Sequence, residues 1–276
     1  MRTTLSVPNL SAPRCLMLAL ACAALLPAQA QAQVDVGNAS VMRRLVPAET
    51  LENTATQQYQ ELLQQARAQG ALAGSDNAQL QRLRGIAQRL IPHAAQWNPR
   101  ASQWRWEVNL IGSKQINAFC MPGGKIAFYT GIIDQLKLSD DEIAMVMGHE
   151  MAHALREHSR EQLAKNQATS IGISLGAQLL GLGDIGSAAA RFGGQLLSLK
   201  FSRGDESEAD LVGLELAARA GYNPQASVSL WRKMGEATGN GGIGFLSTHP
   251  TGPDRIRQLE SNVPRVMPLY EQARRR

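Results

Sequence analysis

A chain of 276 residues with 44% hydrophobic content carries enough apolar material to bury one sizeable core, and it shows no internal linker. The formal charge of +5 is modest; it suits an anionic membrane surface at most and calls for no nucleic-acid partner. Of three cysteines, Cys15 and Cys22 fall in the amino-terminal run, so Cys120 stands alone downstream and excludes a disulfide scaffold.

Arg2 and Arg14 precede an apolar run from Cys15 to Leu26, followed by Pro27 and Ala28-Gln29-Ala30-Gln31-Ala32. A basic start, a short apolar core and A-x-A sites predict a secretory signal peptide over residues 1–32, cleaved after Ala30 or Ala32. The apolar run is too short to span a hydrocarbon core of ~30 Å. Lipidation at Cys22 is the other reading, but it leaves too short an apolar core. Cleavage at Ala32 removes two arginines and no acid, and predicts a single domain over 33–276 in the periplasm. In that oxidising compartment Cys120 is expected to be buried.

Helical periodicity covers residues 48–69 and 77–95, separated by Gly70 and Gly74-Ser75-Asp76. Trp104 to Ile111 reads as a strand. Ile116 to Phe119 and Lys125 to Thr130 read as two more, joined by the turn signal Pro122-Gly123-Gly124. An edge strand near Asn117 can hold an extended peptide by backbone pairing. Helices are expected from there to the end, broken at Tyr222-Asn223-Pro224 and Asn240-Gly241-Gly242. The fold class is α+β: helix-rich, with a small sheet.

Ser139-Asp140-Asp141-Glu142 forms a capping box with acids on the positive end of a helix, and the apolar run Ile143 to Met147 follows. Gly148 costs about 1 kcal/mol relative to Ala in a helix, so its presence implies close packing. Next comes His149-Glu150-Met151-Ala152-His153. Each helical residue turns ~100°, so the histidines share one face a turn apart and can ligate one Zn²⁺. Glu150 sits beside the metal position, where it can act as general base on water. The pattern describes a zinc peptidase.

A catalytic zinc takes three protein ligands and leaves one position open. His158 lies ~140° and ~180° around a continuous helix from His153 and His149 and is rejected. His93, after Pro92, has no partner pattern. The densest acidic cluster downstream is Asp205-Glu206-Ser207-Glu208-Ala209-Asp210, opening a helical pattern. Glu206 and Asp210 share a face, whereas Glu208 points ~200° away from Glu206. One carboxylate on the metal and a second on a ligand histidine is a recurrent division of labour.

HExxH followed by Ser202-Arg203 and Glu206-Ser207-Glu208-Ala209-Asp210 resembles the zinc metalloprotease family of the CAAX prenyl proteases and HtpX. Asn117-Ala118-Phe119, Pro122-Gly123-Gly124, Thr248-His249-Pro250 and Asp254-Arg255-Ile256 match in the family's order. The chain is most similar to the soluble periplasmic members of the BepA and LoiP type. It departs from BepA in lacking a long carboxy-terminal repeat region, and from HtpX in lacking clear membrane-spanning helices. The resemblance implies a zincin-like fold with one Zn²⁺ per chain, held by His149, His153 and Glu206. It also implies Glu150 as base, Asp210 behind a ligand, and Asn117 as a substrate contact beside the cleft.

Residues 167–183 are uncharged and dotted with glycine, and a second apolar piece runs from Ile185 to Leu199. A core helix, a hairpin on a membrane or over the cleft, and a membrane span are all open there. His249, after the glycines of 241–244, is either a loop histidine hydrogen-bonded near the carboxy terminus or a residue that reaches the zinc site. There it either occupies the open position and keeps the enzyme latent, or donates to the oxyanion; the family resemblance favours latency. Two functions fit the whole. The first is an endopeptidase acting on unfolded or misassembled envelope proteins, with peripheral association to membrane or outer-membrane assembly machinery. The second is a chaperone-like binding factor with low or latent proteolysis; an intact Glu150 favours the first, because binding needs no base.

Overall fold

A computed structural model describes residues 34–166, 196, 199–238, 244–249 and 254–275. They belong to one compact unit, Ala32–Arg276. The predicted signal peptide and most of the 167–199 stretch lie outside the described residues. No described helix is long and apolar enough to cross a membrane.

Helix α1 (Ala48–Ala68) buries Leu51, Ala55, Tyr59 and Leu63, one residue per turn on a single face. Helix α2 (Ala78–Leu90) starts at Asn77, whose side chain accepts the Leu80 N–H. Three strands follow: β1 (Glu107–Ile111), β2 (Ala118–Met121) and β3 (Lys125–Tyr129). The sheet order is β1-β3-β2, with β1 parallel and β2 antiparallel to β3. Alternation sorts their side chains into two layers. Val108, Leu110, Ala118, Cys120, Ile126 and Phe128 join the main core, whereas Ile111, Met121 and Ala127 face a smaller cluster under α1. Cys120 is buried, as its expected fate requires.

The strands fall short of the predicted spans for specific reasons. Trp104 closes a 3-10 turn onto the Ala101 carbonyl and donates its indole N–H to Glu52 (3.0 Å), so β1 starts only at Glu107. Ile116 gives its carbonyl to the Phe245 N–H (3.0 Å), which draws it out of the sheet and moves β2 toward Met121. The hairpin turn at Pro122-Gly123-Gly124 forms as expected, with both glycines at positive φ (84° and 78°).

After α3 (Thr130–Leu136), helix α4 (Asp140–Leu155) begins with the full capping box between Ser139 and Glu142. It is buried on all faces from Glu142 to Leu155. Arg156 and Glu157 form a turn, Glu157 at φ 60°, and a further helix α5 covers 158–166 among the described residues. Helix α6 (Arg203–Arg219) carries a second capping box, Ser202 with Asp205. Helices α7 (Ala226–Thr238), α8 (Gly244–Thr248) and α9 (Asp254–Arg274) complete the chain. Among the described residues, helices α4 and α6 share an extensive interface. A Cβ on Gly148 would come within 2.8 Å of the Gly213 carbonyl oxygen, so the pair packs backbone to backbone there.

Candidate active site

His149, Glu150 and His153 sit on α4, Glu206 and Asp210 on α6, and His249 just past α8. The contact between Gly148 and Gly213 fixes the first two groups: Glu206 and Asp210 are seven and three residues before Gly213, on the face turned to α4. His249 is placed by its own N–H on the Phe245 carbonyl (2.9 Å), and the preceding Thr248 carbonyl accepts the Phe201 N–H (3.3 Å). Phe245 stacks on the His249 ring at 4.3 Å, and Phe201 on the His153 ring at 3.9 Å. These aromatic faces restrict the imidazole planes.

His149, His153, Glu206 and His249 form a buried group whose ligand atoms all lie within 4.8 Å of one another. The Nε2 atoms of His149 and His153 are 3.1 Å apart. Glu206 places Oε2 3.5 Å from the first and Oε1 3.5 Å from the second. Ligands at zinc bond lengths around a tetrahedral centre stand about 3.3–3.6 Å apart, so the donor set fits such an ion. Glu150 Oε1 is buried without a hydrogen-bond partner, and Glu206 Oε2 accepts no aligned hydrogen bond although Arg255 Nη1 is 2.9 Å away. A buried carboxylate oxygen without a hydrogen-bond partner, as Glu150 Oε1 is, is costly unless a cation, water or substrate meets it. His249 Nδ1 stands 3.3 Å from His149 Nε2 and 2.9 Å from Glu206 Oε1, and its Nε2 is 3.5 Å from Glu150 Oε1.

The electrostatics agree with this arrangement. Burial opposes a charge on His149, but Asp210 and Glu206 outweigh it and raise its pKa to about 9, the field that also attracts a metal cation. Burial likewise resists ionisation of Glu206, yet His149 and His249 hold it well below the usual carboxylate range. Glu150 goes the other way. Burial lifts it above the ordinary value despite His249 and His149, which makes it a stronger proton acceptor than a surface glutamate.

Two residues in the site were not assigned roles by sequence reasoning. Arg255 on α9 donates to both carboxylate oxygens of Asp210, with Nη2 to Oδ1 at 2.8 Å, and lies 3.3 Å over the Trp231 ring. Asp210 in turn meets His149 Nδ1 at 3.0 Å. The matching Asp254-Arg255-Ile256 segment was the available signal. His158 is not in the metal group, as expected, yet its Nδ1 lies 2.9 Å from His153 Nδ1. The rejection assumed one continuous helix, whereas α4 stops at Leu155 and the left-handed Glu157 turns the chain back. His93, in a 3-10 turn over Ile91–Gln96, stands outside the metal group.

A cleft opens beside the group, lined by Asn117 to Pro122, Glu150, His153, Leu199, Phe201 and His249. Strand β2 is the sheet edge facing it. Because the Asn117 carbonyl pairs with the Tyr129 N–H, Ala118 and Cys120 direct their backbone groups away from β3. Asn117 Oδ1 accepts the Ala118 N–H at 3.0 Å.

A helix carrying HExxH, a carboxylate delivered from a second helix and an edge strand along the cleft define a metallopeptidase domain. Residues 77–263 match peptidase family M48, and the chain belongs to that family. It is 39% identical over 166 residues to the mitochondrial metalloendopeptidase OMA1 of Schizosaccharomyces pombe, covering 59% of this chain and 48% of that one. The metalloendopeptidase OMA1 of Bos taurus is 30% identical over 188 residues (63% and 35%). The beta-barrel assembly-enhancing protease of Yersinia pestis is 26% identical over 170 residues (58% and 35%). The chain thus spans about half or less of the length of these relatives.

These relatives support one expectation at a coarser level and correct another. The resemblance holds at the level of family M48 and does not single out the CAAX and HtpX branch. The periplasmic location is overturned, since relatives named as mitochondrial match at higher identity than the beta-barrel assembly-enhancing protease. The physical reason is that a basic, acid-free start and a short apolar run carry no information that singles out one compartment.

Proposed function

We propose that this chain is a zinc-dependent endopeptidase that hydrolyses peptide bonds in unfolded or misassembled proteins. The observation that carries the reading is the convergence of His149, His153 and Glu206 beside a cleft that Glu150 and the edge strand β2 both line. Relatives named as metalloendopeptidases support it, and those named as beta-barrel assembly-enhancing proteases support substrates caught during assembly.

His149, His153 and Glu206 would hold the ion, and a zinc ion there would supply a lowered water pKa and polarisation of the scissile carbonyl. Strand β2 receives the substrate as an added strand, through the outward C=O of Ala118 and the outward N–H and C=O of Cys120. Asn117 flanks that strand; its Oδ1 holds the Ala118 N–H, which leaves its amide N–H₂ to donate to the substrate backbone. Glu150 Oε1 takes a proton from the attacking water and returns it to the leaving amide nitrogen. Asp210 meets His149 at Nδ1, which would keep its Nε2 bare for an ion, and Arg255 holds Asp210.

His249 Nδ1 stands 3.3 Å from His149 Nε2 and 2.9 Å from Glu206 Oε1, close enough to serve as a fourth donor, and this spacing supports a latent resting state over an oxyanion donor. Latency also accommodates the binding-factor reading, since a blocked site holds chains without cutting them. The test is metal analysis together with cleavage of an unfolded protein by wild type and Glu150→Gln. The variant is expected to keep its zinc and lose hydrolysis by orders of magnitude. Retained hydrolysis would remove Glu150 from the base role.

A further inference from the structure

The two ligand histidines are supported in different ways. His149 meets a carboxylate directly, Nδ1 to Asp210 Oδ1 at 3.0 Å. His153 meets another imidazole, Nδ1 to His158 Nδ1 at 2.9 Å. Beyond it, His158 Nε2 reaches Glu208 Oε2 at 3.4 Å, and that oxygen also accepts from Arg156 Nε at 2.8 Å. Arg156 is tied through Nη2 to the Gly37 carbonyl at 3.0 Å. His158 is 2% exposed and Arg156 9%, so the chain of contacts runs through the interior until Glu208.

Two ring nitrogens 2.9 Å apart need one proton between them, and its place is determined. His153 Nε2 faces His149 Nε2 and Glu206, so it must be bare to donate a lone pair to a metal. The proton of neutral His153 is therefore on Nδ1. His158 must then accept at Nδ1 and carry its own proton on Nε2, where the Glu208 carboxylate receives it. Every ring nitrogen is satisfied in this tautomer, and the opposite one sets a bare Nε2 of His158 against a carboxylate oxygen.

We propose that His158 is a positioning residue for the metal centre: with Glu208 and Arg156 it forms a relay that fixes the tautomer and ring plane of His153. The relay needs the turn after Leu155. The left-handed Glu157 folds His158 back onto the ligand it follows, which a continued α4 could not do. Glu208, which points away from the metal, acquires a role through this histidine.

The inference rests on the reading of His153 as a ligand, and one titration separates the two. Zn²⁺ affinity is measured by competition with a chromophoric chelator for wild type, His158→Phe, His158→Gln, Glu208→Gln and Glu206→Ala, with the melting temperature of each metal-stripped protein. Phe keeps a buried ring without an acceptor, whereas the Gln amide oxygen can still accept from His153 Nδ1. Expected is a ~10–100-fold loss of affinity in His158→Phe, typical of a group supporting a ligand. His158→Gln recovers part of it, Glu208→Gln loses less than His158→Phe, and Glu206→Ala loses measurable binding. Wild-type affinity in His158→Phe overturns the proposal, and so does an equal loss in the Phe and Gln variants, which marks a volume effect. Wild-type affinity in Glu206→Ala overturns the metal-site reading itself, and the relay with it.

Discussion

Gly148 on α4 and Gly213 on α6 touch backbone to backbone, and this contact sets the distance between the histidines and their carboxylates. A Cβ on Gly213 would stand 2.6 Å from the His149 N. Replacing a helical glycine by alanine gains about 1 kcal/mol of propensity. Here the two helices have to separate to admit the methyl group, and overpacking of that kind costs about 1–3 kcal/mol. Gly213→Ala is therefore expected to lower the melting temperature and weaken Zn²⁺ binding together, because α6 carries Glu206 and Asp210. An unchanged affinity would show that the helix spacing does not tune the site.

Glu206 and Glu208 are two residues apart on α6 and face opposite ways, the first toward His149 and His153, the second toward Arg156 and His158. Glu206→Ala is expected to abolish stoichiometric zinc, and Glu208→Ala to retain it with a loss of about tenfold or less. Metal content after gel filtration distinguishes them; the reverse ranking would reject Glu206 as ligand.

Asp210→Asn keeps the shape but removes the charge that meets both His149 and Arg255. The expected loss of zinc affinity or activity is ~10–100-fold, intermediate between ligand removal and a surface change. A variant indistinguishable from wild type in both readouts would leave Asp210 without a role at the metal.

His249→Ala discriminates two uses of one imidazole. A histidine that blocks the fourth position must leave before catalysis, so its removal raises basal proteolysis of an unfolded protein. An oxyanion donor acts only in the transition state, so its removal lowers kcat by about 10²–10³-fold. The separation of 3.3 Å between His249 Nδ1 and His149 Nε2 favours the rise. Unchanged activity together with unchanged zinc content would reject both.

Glu142 joins the capping box of α4 to Lys233 (2.7 Å) and Ser229 (2.8 Å) on α7. Burial pushes its pKa up, but Lys233, the Ser139 N–H and Ser229 outweigh that and hold it below the ordinary value. A depressed carboxylate contributes stability that is present above its unfolded pKa and lost as pH falls through the folded one. Glu142→Gln is thus expected to melt lower than wild type at pH 7, with the gap closing as the pH drops below about 4. A gap that stays constant from pH 7 to 3 would assign the effect to packing instead of charge.

What the sequence determined by itself is what short-range geometry controls. The i, i+4 spacing puts His149 and His153 on one face, Ser139 and Glu142 close a capping box three residues apart, and Pro122-Gly123-Gly124 needs only its own φ angles to turn. Those relations hold wherever the helix or hairpin ends up. Glu206 was narrowed to an acidic cluster by residue pattern, and separated from its neighbours only through family resemblance. The tertiary structure decided the rest, because each remaining partner comes from a distant segment. Asp210 meets His149 across the glycine contact of α4 and α6, Arg255 arrives on α9, and His249 is carried in by α8. His158 shows the limit most directly. Five residues from His153 in the chain, it was placed on the wrong side of an imagined helix, because a single left-handed residue at Glu157, with no glycine to announce it, turns the backbone and brings the ring back.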